Sequence, residues 1–230
     1  MPRLVRTIAI GDIHGCLTQF ESLLDALQVR AQDRVVILGD FVDRGPDPAG
    51  VIKRILALGG DCDLTVLMGN HEQMMLQARE SNAALREWRR EGGDTTLRSY
   101  GGIRGTLREV PADHWRFLES ELKPYLETET HVFVHATLEP GIPMEAQTDY
   151  TLRWQRCETT GPHESGKTIV CGHSSQKSGR PLNRGFLVCL DTFAHGGGPL
   201  TAMDVGSGRL WLAGADGSVA RALISNFADE

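Results

Sequence analysis

The amino-acid sequence predicts an α/β fold. Three observations carry this: short apolar runs alternate with amphipathic stretches through the first third of the chain, the runs end at glycines, and strand-like runs return after a polar interval. "LVRTIAI" reads as the first strand. "TQFESLLDALQV" reads as a helix, with Thr18 and Glu21 spaced as a capping box and Phe20, Leu23, Leu24 and Leu27 on one face. "RVVILGD" is the second strand. "DPAGVIKRILALGG" is the second helix, with Asp47 as N-cap, Pro48 in the first turn and Gly59–Gly60 as the stop. "DLTVLMGN" is a third strand and "HEQMMLQARE" opens a third helix, so the pattern predicts a largely parallel sheet covered by helices.

From about residue 81 to 130 the texture turns polar and charge-rich ("NAALREWRREGG", "ADHWRFLESELKPYL"), which predicts a small helical cap with "SYGGIRG" as its hinge or loop. Strand patterns return in "HVFVHA", "TIVCGHS" and "GFLVCLDT". "LTAMDV" and "LWLAG", either side of "GSGR", predict a closing hairpin. No repeat or linker divides the chain, so residues 1–230 are expected to form one domain carrying the 81–130 insertion.

Composition bounds the function. A net charge of −6 argues against a nucleic-acid partner, because phosphate backbones are bound through basic surface, but leaves room for a small phosphorylated substrate held by a few cations. The five cysteines, Cys16, Cys62, Cys157, Cys171 and Cys189, form no CxxC pair and suit a reducing, cytoplasmic setting. The N-terminal apolar stretch is too short for a signal peptide, and no run approaches a membrane span.

The chemistry sits where the strands end. Asp12 and His14 follow the first strand, Asp40, Asp43 and Arg44 the second, and Asn70, His71 and Glu72 the third; His135 and His173 close two later ones. Taken singly, a histidine at a strand end is usually structural, Asp after Gly is a turn former and Asn70 could be a helix N-cap. Five such residues at five strand ends are not explained that way, and in α/β sheets the carboxyl ends of strands form the ligand crevice. Carboxylate, imidazole and amide oxygen without thiolate suit Mn²⁺, Fe²⁺ or Zn²⁺. Six ligands exceed what one tetrahedral ion takes, so two ions sharing a carboxylate are expected, with Asp40 on the middle strand as the bridge.

In this order, "GDIHG", "GDFVDRG", "GNHE", "VHA" and "GHS" resemble the signature set of the calcineurin-like metallophosphoesterases, and within them the short bacterial and phage lambda-type phosphoprotein phosphatases. The resemblance spans residues 11 to 174. It implies a four-layer α/β/β/α sandwich and a centre of two divalent ions, manganese first with iron or zinc as alternatives. Asp12 and His14 would bind the first ion, Asp40 would bridge, and Asn70, His135 and His173 would bind the second. His71 would protonate the leaving group, oriented by Asp43, and Arg44 would hold phosphate oxygens. A second phosphate-binding arginine is expected in "LRWQR", where Arg156 aligns better than Arg153. The reaction implied is direct attack of a metal-activated hydroxide on phosphorus, with no phosphoenzyme and no cysteine nucleophile; Cys16 and Cys171 are expected to pack as small apolar residues.

The sequence departs from the large eukaryotic members in having Met68, not arginine, before "GNHE". His195, in "DTFAHGGG", is expected on a glycine-rich surface turn, the alternative being a place near the site because its strand follows the last ligand strand, and His114, His131 and His163 are expected at ordinary cap, strand-start and loop positions. The activity implied is a serine/threonine, and in addition tyrosine, protein phosphatase; the alternative is a symmetrical diadenosine tetraphosphate hydrolase. A phosphodiesterase, or a silent metal-binding domain, is a weaker reading. Oligomeric state is not legible.

Overall fold

The computed structural model describes residues 5–228. Among the described residues, eleven strands form two sheets that face each other. The first runs β11 (Val219–Leu223), β10 (Arg209–Ala213), β9 (Leu200–Asp204), β1 (Thr7–Ile10), β2 (Arg34–Ile37), β3 (Asp63–Val66). The second runs β4 (Tyr125–Glu127), β5 (His131–Val134), β6 (Thr168–Cys171), β8 (Leu187–Cys189), β7 (Leu182–Asn183). Within the first, β1, β2 and β3 are parallel and β9 to β11 antiparallel; within the second, β5, β6 and β8 are parallel and the edges β4 and β7 antiparallel. The parallel β1–β3 segment is the one the first half of the sequence predicts, and the two sheets with their helices give the four-layer α/β/β/α sandwich that the resemblance implies; β11 is a strand that the sequence pattern does not announce.

Side-chain alternation explains the layering. Ile8, Ile10, Val35, Ile37 and Val66 point from the first sheet into the core beneath the helices. Ala9, Val36, Leu38 and Leu67 point the other way and meet Phe133, Val170, Val188 and Leu190 of the second sheet. The far face of the second sheet, with Val132, Val134, Ile169 and Leu187, packs on Met144 and Leu152. Strands buried on both faces read as unbroken apolar runs, the form in which the sequence presents them. The five cysteines are free thiols, and Cys157, Cys171 and Cys189 pack together in that outer core.

Helices α1 (Leu17–Leu27), α2 (Pro48–Leu58) and α3 (Asn70–Gln77) cover the first sheet. Helix α2 is capped as expected: the Gly50 N–H donates to Asp47 Oδ1 at 2.8 Å. The capping box expected from Thr18 and Glu21 does not form, because α1 begins one residue earlier, at Leu17, with Cys16 as N-cap and no side-chain cap. Between residues 82 and 120 lie α4 (Asn82–Trp88), a wide turn over Arg89–Gly93, α5 (Asp94–Gly101) and α6 (Ala112–Ser120). Trp88, Leu97, Phe117 and Leu118 of this insertion join the helix-side core. Helix α6 ends earlier than its sequence pattern suggests: Lys123 pairs with the end of β3, its carbonyl accepting the Met68 N–H at 2.9 Å, and Pro124 follows. A last short helix, α7 (Asp149–Arg153), lies over the second sheet.

Candidate metal centre

The carboxyl ends of β1, β2 and β3 and of β5 and β6 open at the same edge of the sandwich, and the expected residues meet there. Donor atoms of His14, Asp40 and His71 lie within 4.8 Å of one another, as do those of Asp40, His135 and His173. Asp40 belongs to both groups and follows β2, the middle of the three parallel strands. All but His173 are buried. Strand alternation does not aim these groups: β2 ends at Ile37, and the loop turns through left-handed backbone at Asp40 (φ 46°), Asp43 (69°) and Arg44 (67°). His14 (44°) and His173 (60°) share that conformation. Such non-glycine positions are costly and cluster at functional sites.

Hydrogen bonds fix the imidazoles. His14 Nδ1–H donates to the Val42 carbonyl at 2.8 Å, so its Nε2 faces Asp40 Oδ2 at 3.6 Å and Arg44 Nη1 at 3.1 Å. His135 Nδ1–H donates to the Leu38 carbonyl at 2.8 Å, leaving Nε2 facing only oxygens, Asn70 Oδ1 at 3.0 Å and Asp40 Oδ1 at 3.3 Å. His173 Nε2–H donates to the Trp154 carbonyl, and its Nδ1 also faces Asn70 Oδ1, each at 3.0 Å. A ring nitrogen that faces oxygen alone must carry a proton or a cation, and orientation through the opposite nitrogen is the usual arrangement of histidine ligands.

The acids add to this. Asp12 Oδ2 accepts the His173 backbone N–H at 3.0 Å, whereas Oδ1 is buried with no hydrogen-bond partner. Gly172 lets it sit there, since a Cβ at that position would come within 1.9 Å of Oδ1. An orphaned buried carboxylate oxygen and oxygen-facing imidazoles are the donor set of a divalent cation. Burial, with the charges of Asp191 and Asp40, pushes the Asp12 carboxyl well above its ordinary range. Burial works the same way on Asp40, but His135, His71 and His14 outweigh it and hold Asp40 low. Burial and the neighbouring His135 push His173 down to about 4, so its ring is neutral near pH 7.

His71 is different in kind. Its Nδ1 lies 2.7 Å from Asp43 Oδ2, its Nε2 is 4.0 Å from Asp40 Oδ2, and its backbone N–H donates to Asp40 Oδ1 at 3.0 Å. Burial would lower its pKa; the charges of Asp40 and Asp43 raise it overall. Asp43 is fully buried and also accepts hydrogen bonds from Trp88 and Thr96.

A pocket of about 480 Å³ opens onto the centre, lined by Asp40, Arg44, His71, Arg156, His173 and His195 among others. Arg156 reaches its rim with the guanidinium donating to Glu158 and a largely exposed side chain. Arg153 lies outside it, paired with Asp149 at 2.9 Å. The surface turn expected for His195 is corrected: Arg44 Nη1 is 3.3 Å from its Nε2, and its ring packs edge-on to His14 and Phe193. Left-handed backbone at Phe193 (φ 64°) folds that turn inward. His114 and His163 are held by local partners, Tyr100 in the insertion and Ser165 in a loop, and His131 starts β5.

Three features went unread in the sequence: Trp88, Thr96 and Asp191. Asp191 is buried, accepts from Ser175 and from the Phe193 N–H at 3.1 Å, and follows the run ending at Leu190 just as Asp12 and Asp40 follow theirs. The strand-end pattern could have found it. Trp88 and Thr96 carry no such signal.

Comparison with known proteins agrees with this geometry. The chain is 42% identical over 133 residues to serine/threonine-protein phosphatase 1 of Salmonella typhimurium, covering 55% of this chain and 56% of that one. It is 37% identical over 81 residues to the symmetrical bis(5'-nucleosyl)-tetraphosphatase of Chromohalobacter salexigens, covering 35% and 29%. The matches thus span little more than half of the first relative and under a third of the second. In fold it is similar to the cold-active protein-tyrosine phosphatase of a Shewanella species, with a TM-score of 0.65, 19% identity and coverage of 96% of this chain and 82% of that one. The family model for calcineurin-like phosphoesterases matches residues 5–181, which take in all five strand ends that carry the metal donors. The chain belongs to the calcineurin-like phosphoesterases.

Proposed function

We propose that this metallophosphoesterase is a phosphomonoesterase of the protein serine/threonine phosphatase type, acting also on phosphotyrosine. The observation that carries the reading is the buried His71–Asp43 pair at 2.7 Å, on the wall of a pocket that also presents Arg44. An alkoxide leaving from a phosphorylated serine or threonine is strongly basic and needs a proton as it departs. A nucleotide leaving from a dinucleoside polyphosphate is a weakly basic anion and does not. A site that raises the pKa of a histidine through the neighbouring Asp40 and Asp43 carboxylates, against the effect of burial, therefore suits a poor leaving group.

In this reading Asp12, His14 and Asp40 would hold one divalent ion, and Asp40, Asn70, His135 and His173 would hold the second, with manganese the expected metal. Such ions would supply a hydroxide near neutral pH and neutralise charge on the phosphoryl group. The chain does the rest. Arg44 holds phosphate oxygens through a guanidinium that His195 steadies on one side, and Arg156, released from Glu158, reaches the same group. His71 keeps its Nδ1 proton on Asp43 and gives its Nε2 proton to the leaving oxygen. The likeness to the Chromohalobacter tetraphosphatase supports a second reading, hydrolysis of a symmetrical dinucleoside tetraphosphate.

The test is one side-by-side assay of metal-stripped protein, with and without Mn²⁺, on a phosphothreonine peptide, a phosphotyrosine peptide and diadenosine tetraphosphate. Metal-restored phosphate release from the peptides is expected. Cleavage of the dinucleotide alone would leave the centre intact and replace the substrate.

A further inference from the structure

The insertion after α3 touches the site at one place, and it does so with buried polar contacts. Trp88, 1% exposed, donates its Nε1–H to Asp43 Oδ2 at 2.7 Å, the oxygen that His71 Nδ1 also faces. Thr96, 0% exposed, donates its hydroxyl to Asp43 Oδ1 at 2.6 Å and accepts the Asp43 backbone N–H at 2.9 Å. Both carboxylate oxygens and the main chain of Asp43 are thus held from the same short segment. Its neighbour is held too, as the Arg44 N–H donates to the Gly92 carbonyl at 3.2 Å. Gly92 has φ 120°, and a Cβ there would come within 2.7 Å of Arg44 Cγ, so the approach needs glycine. A Cβ on Gly93 would meet the Trp88 ring at 2.4 Å.

We propose that Trp88 and Thr96 are positioning residues for the leaving-group step, fixing the Asp43 carboxylate and through it the ring of His71. The physical case is the freedom they remove. The terminal torsion of an aspartate is broad and roughly two-fold, so one bond to His71 would not fix the carboxylate plane. Donors on both oxygens do. Asp43 and Arg44 are consecutive left-handed residues, a conformation that persists only where surrounding contacts over-determine it. The segment from Trp88 to Thr96 supplies those contacts. It follows that this part of the insertion acts on the chemical step, not on the choice of substrate.

The inference rests on His71 as the proton donor, and the experiment separates the two. Mn²⁺-loaded wild type, Trp88→Phe, Thr96→Val, Thr96→Ser and His71→Asn are assayed on monoesters graded in leaving group, from nitrophenyl through phenyl to alkyl phosphate. His71→Asn is expected to slow alkyl esters most. Thr96→Val and Trp88→Phe are expected to follow the same pattern more mildly, losing about tenfold in kcat on alkyl phosphate with KM and nitrophenyl phosphate turnover nearly unchanged. Bound metal stays at the wild-type ratio, Thr96→Ser restores the rate, and combining Thr96→Val with His71→Asn adds no further loss. A uniform loss across the series for Thr96→Val, or an additive loss with His71→Asn, would overturn the positioning role while the acid stands. A uniform loss in His71→Asn itself would overturn the acid, and this inference with it. Should Trp88→Phe fail to fold, the near-isosteric Thr96→Val carries the test alone.

Discussion

Glu72 organises the loop that carries Asp40. Its carboxylate accepts backbone N–H groups from Asp40 at 2.8 Å and Gly69 at 3.0 Å on Oε2, and from Phe41 at 2.9 Å and Val42 at 3.1 Å on Oε1. One fully buried side chain therefore ties the loop after β2 to the start of α3. A glutamine there would turn an amide toward N–H groups and leave donors unmatched in the interior. Glu72→Gln is expected to cost about 1–3 kcal/mol, read as a lower urea midpoint at unchanged slope. The sequence places this residue in "GNHE" but hides most of its work, because its partners Asp40, Phe41 and Val42 are main-chain groups some thirty positions earlier.

Strands and helices are joined by a second buried carboxylate, remote from the centre. Asp33, just before β2, accepts from Arg6 Nε at 3.2 Å and from the Arg30 N–H at 3.0 Å. Arg6 also donates to the carbonyls of Leu27 and Gln28 at the end of α1. Burial would raise the Asp33 carboxyl, but the Arg6 and Arg30 bonds outweigh it and hold it below its ordinary value. A carboxylate with a depressed folded pKa contributes stability that is fully present above its unfolded pKa of about 3.9 and lost as pH falls through the folded value. Asp33→Asn is therefore expected to be less stable by about 1–2 kcal/mol near neutral pH. The difference from wild type should close below about pH 4, a trend that urea unfolding across pH would show. Helix positions were legible from apolar spacing, whereas the cap of α1 was not. Where Cys16 turns the chain is set by tertiary bonds, among them the Gly15 N–H to the Phe41 carbonyl at 3.0 Å.

Across the whole molecule the donors come from both sheets, Asp12, His14, Asp40 and Asn70 after strands of the first and His135 and His173 after strands of the second. Cations bound there would bridge the sandwich at one edge, and an unfolded chain would offer them no such site. Stripping with a chelator is expected to lower the melting temperature, and Mn²⁺ to restore it in a concentration-dependent way. Saturation at a hundred times Kd corresponds to about 2.7 kcal/mol per site. Asp40→Asn should bind less metal and lose most of that response, which metal analysis and calorimetry together would show.

The sequence by itself determined the α/β class and the helix faces and named the acids and imidazoles that meet at the strand ends, because each is written locally: an apolar run, then a glycine, then an acid or imidazole. Tertiary structure alone decided which strand ends belong to which sheet, that His195 faces Arg44, and that Trp88 and Thr96 hold Asp43. Those contacts join residues 45 to 151 positions apart. The reason is physical: periodicity reports which face of an element is buried, while a hydrogen-bond partner is chosen by the three-dimensional path of the chain, which leaves no period to read.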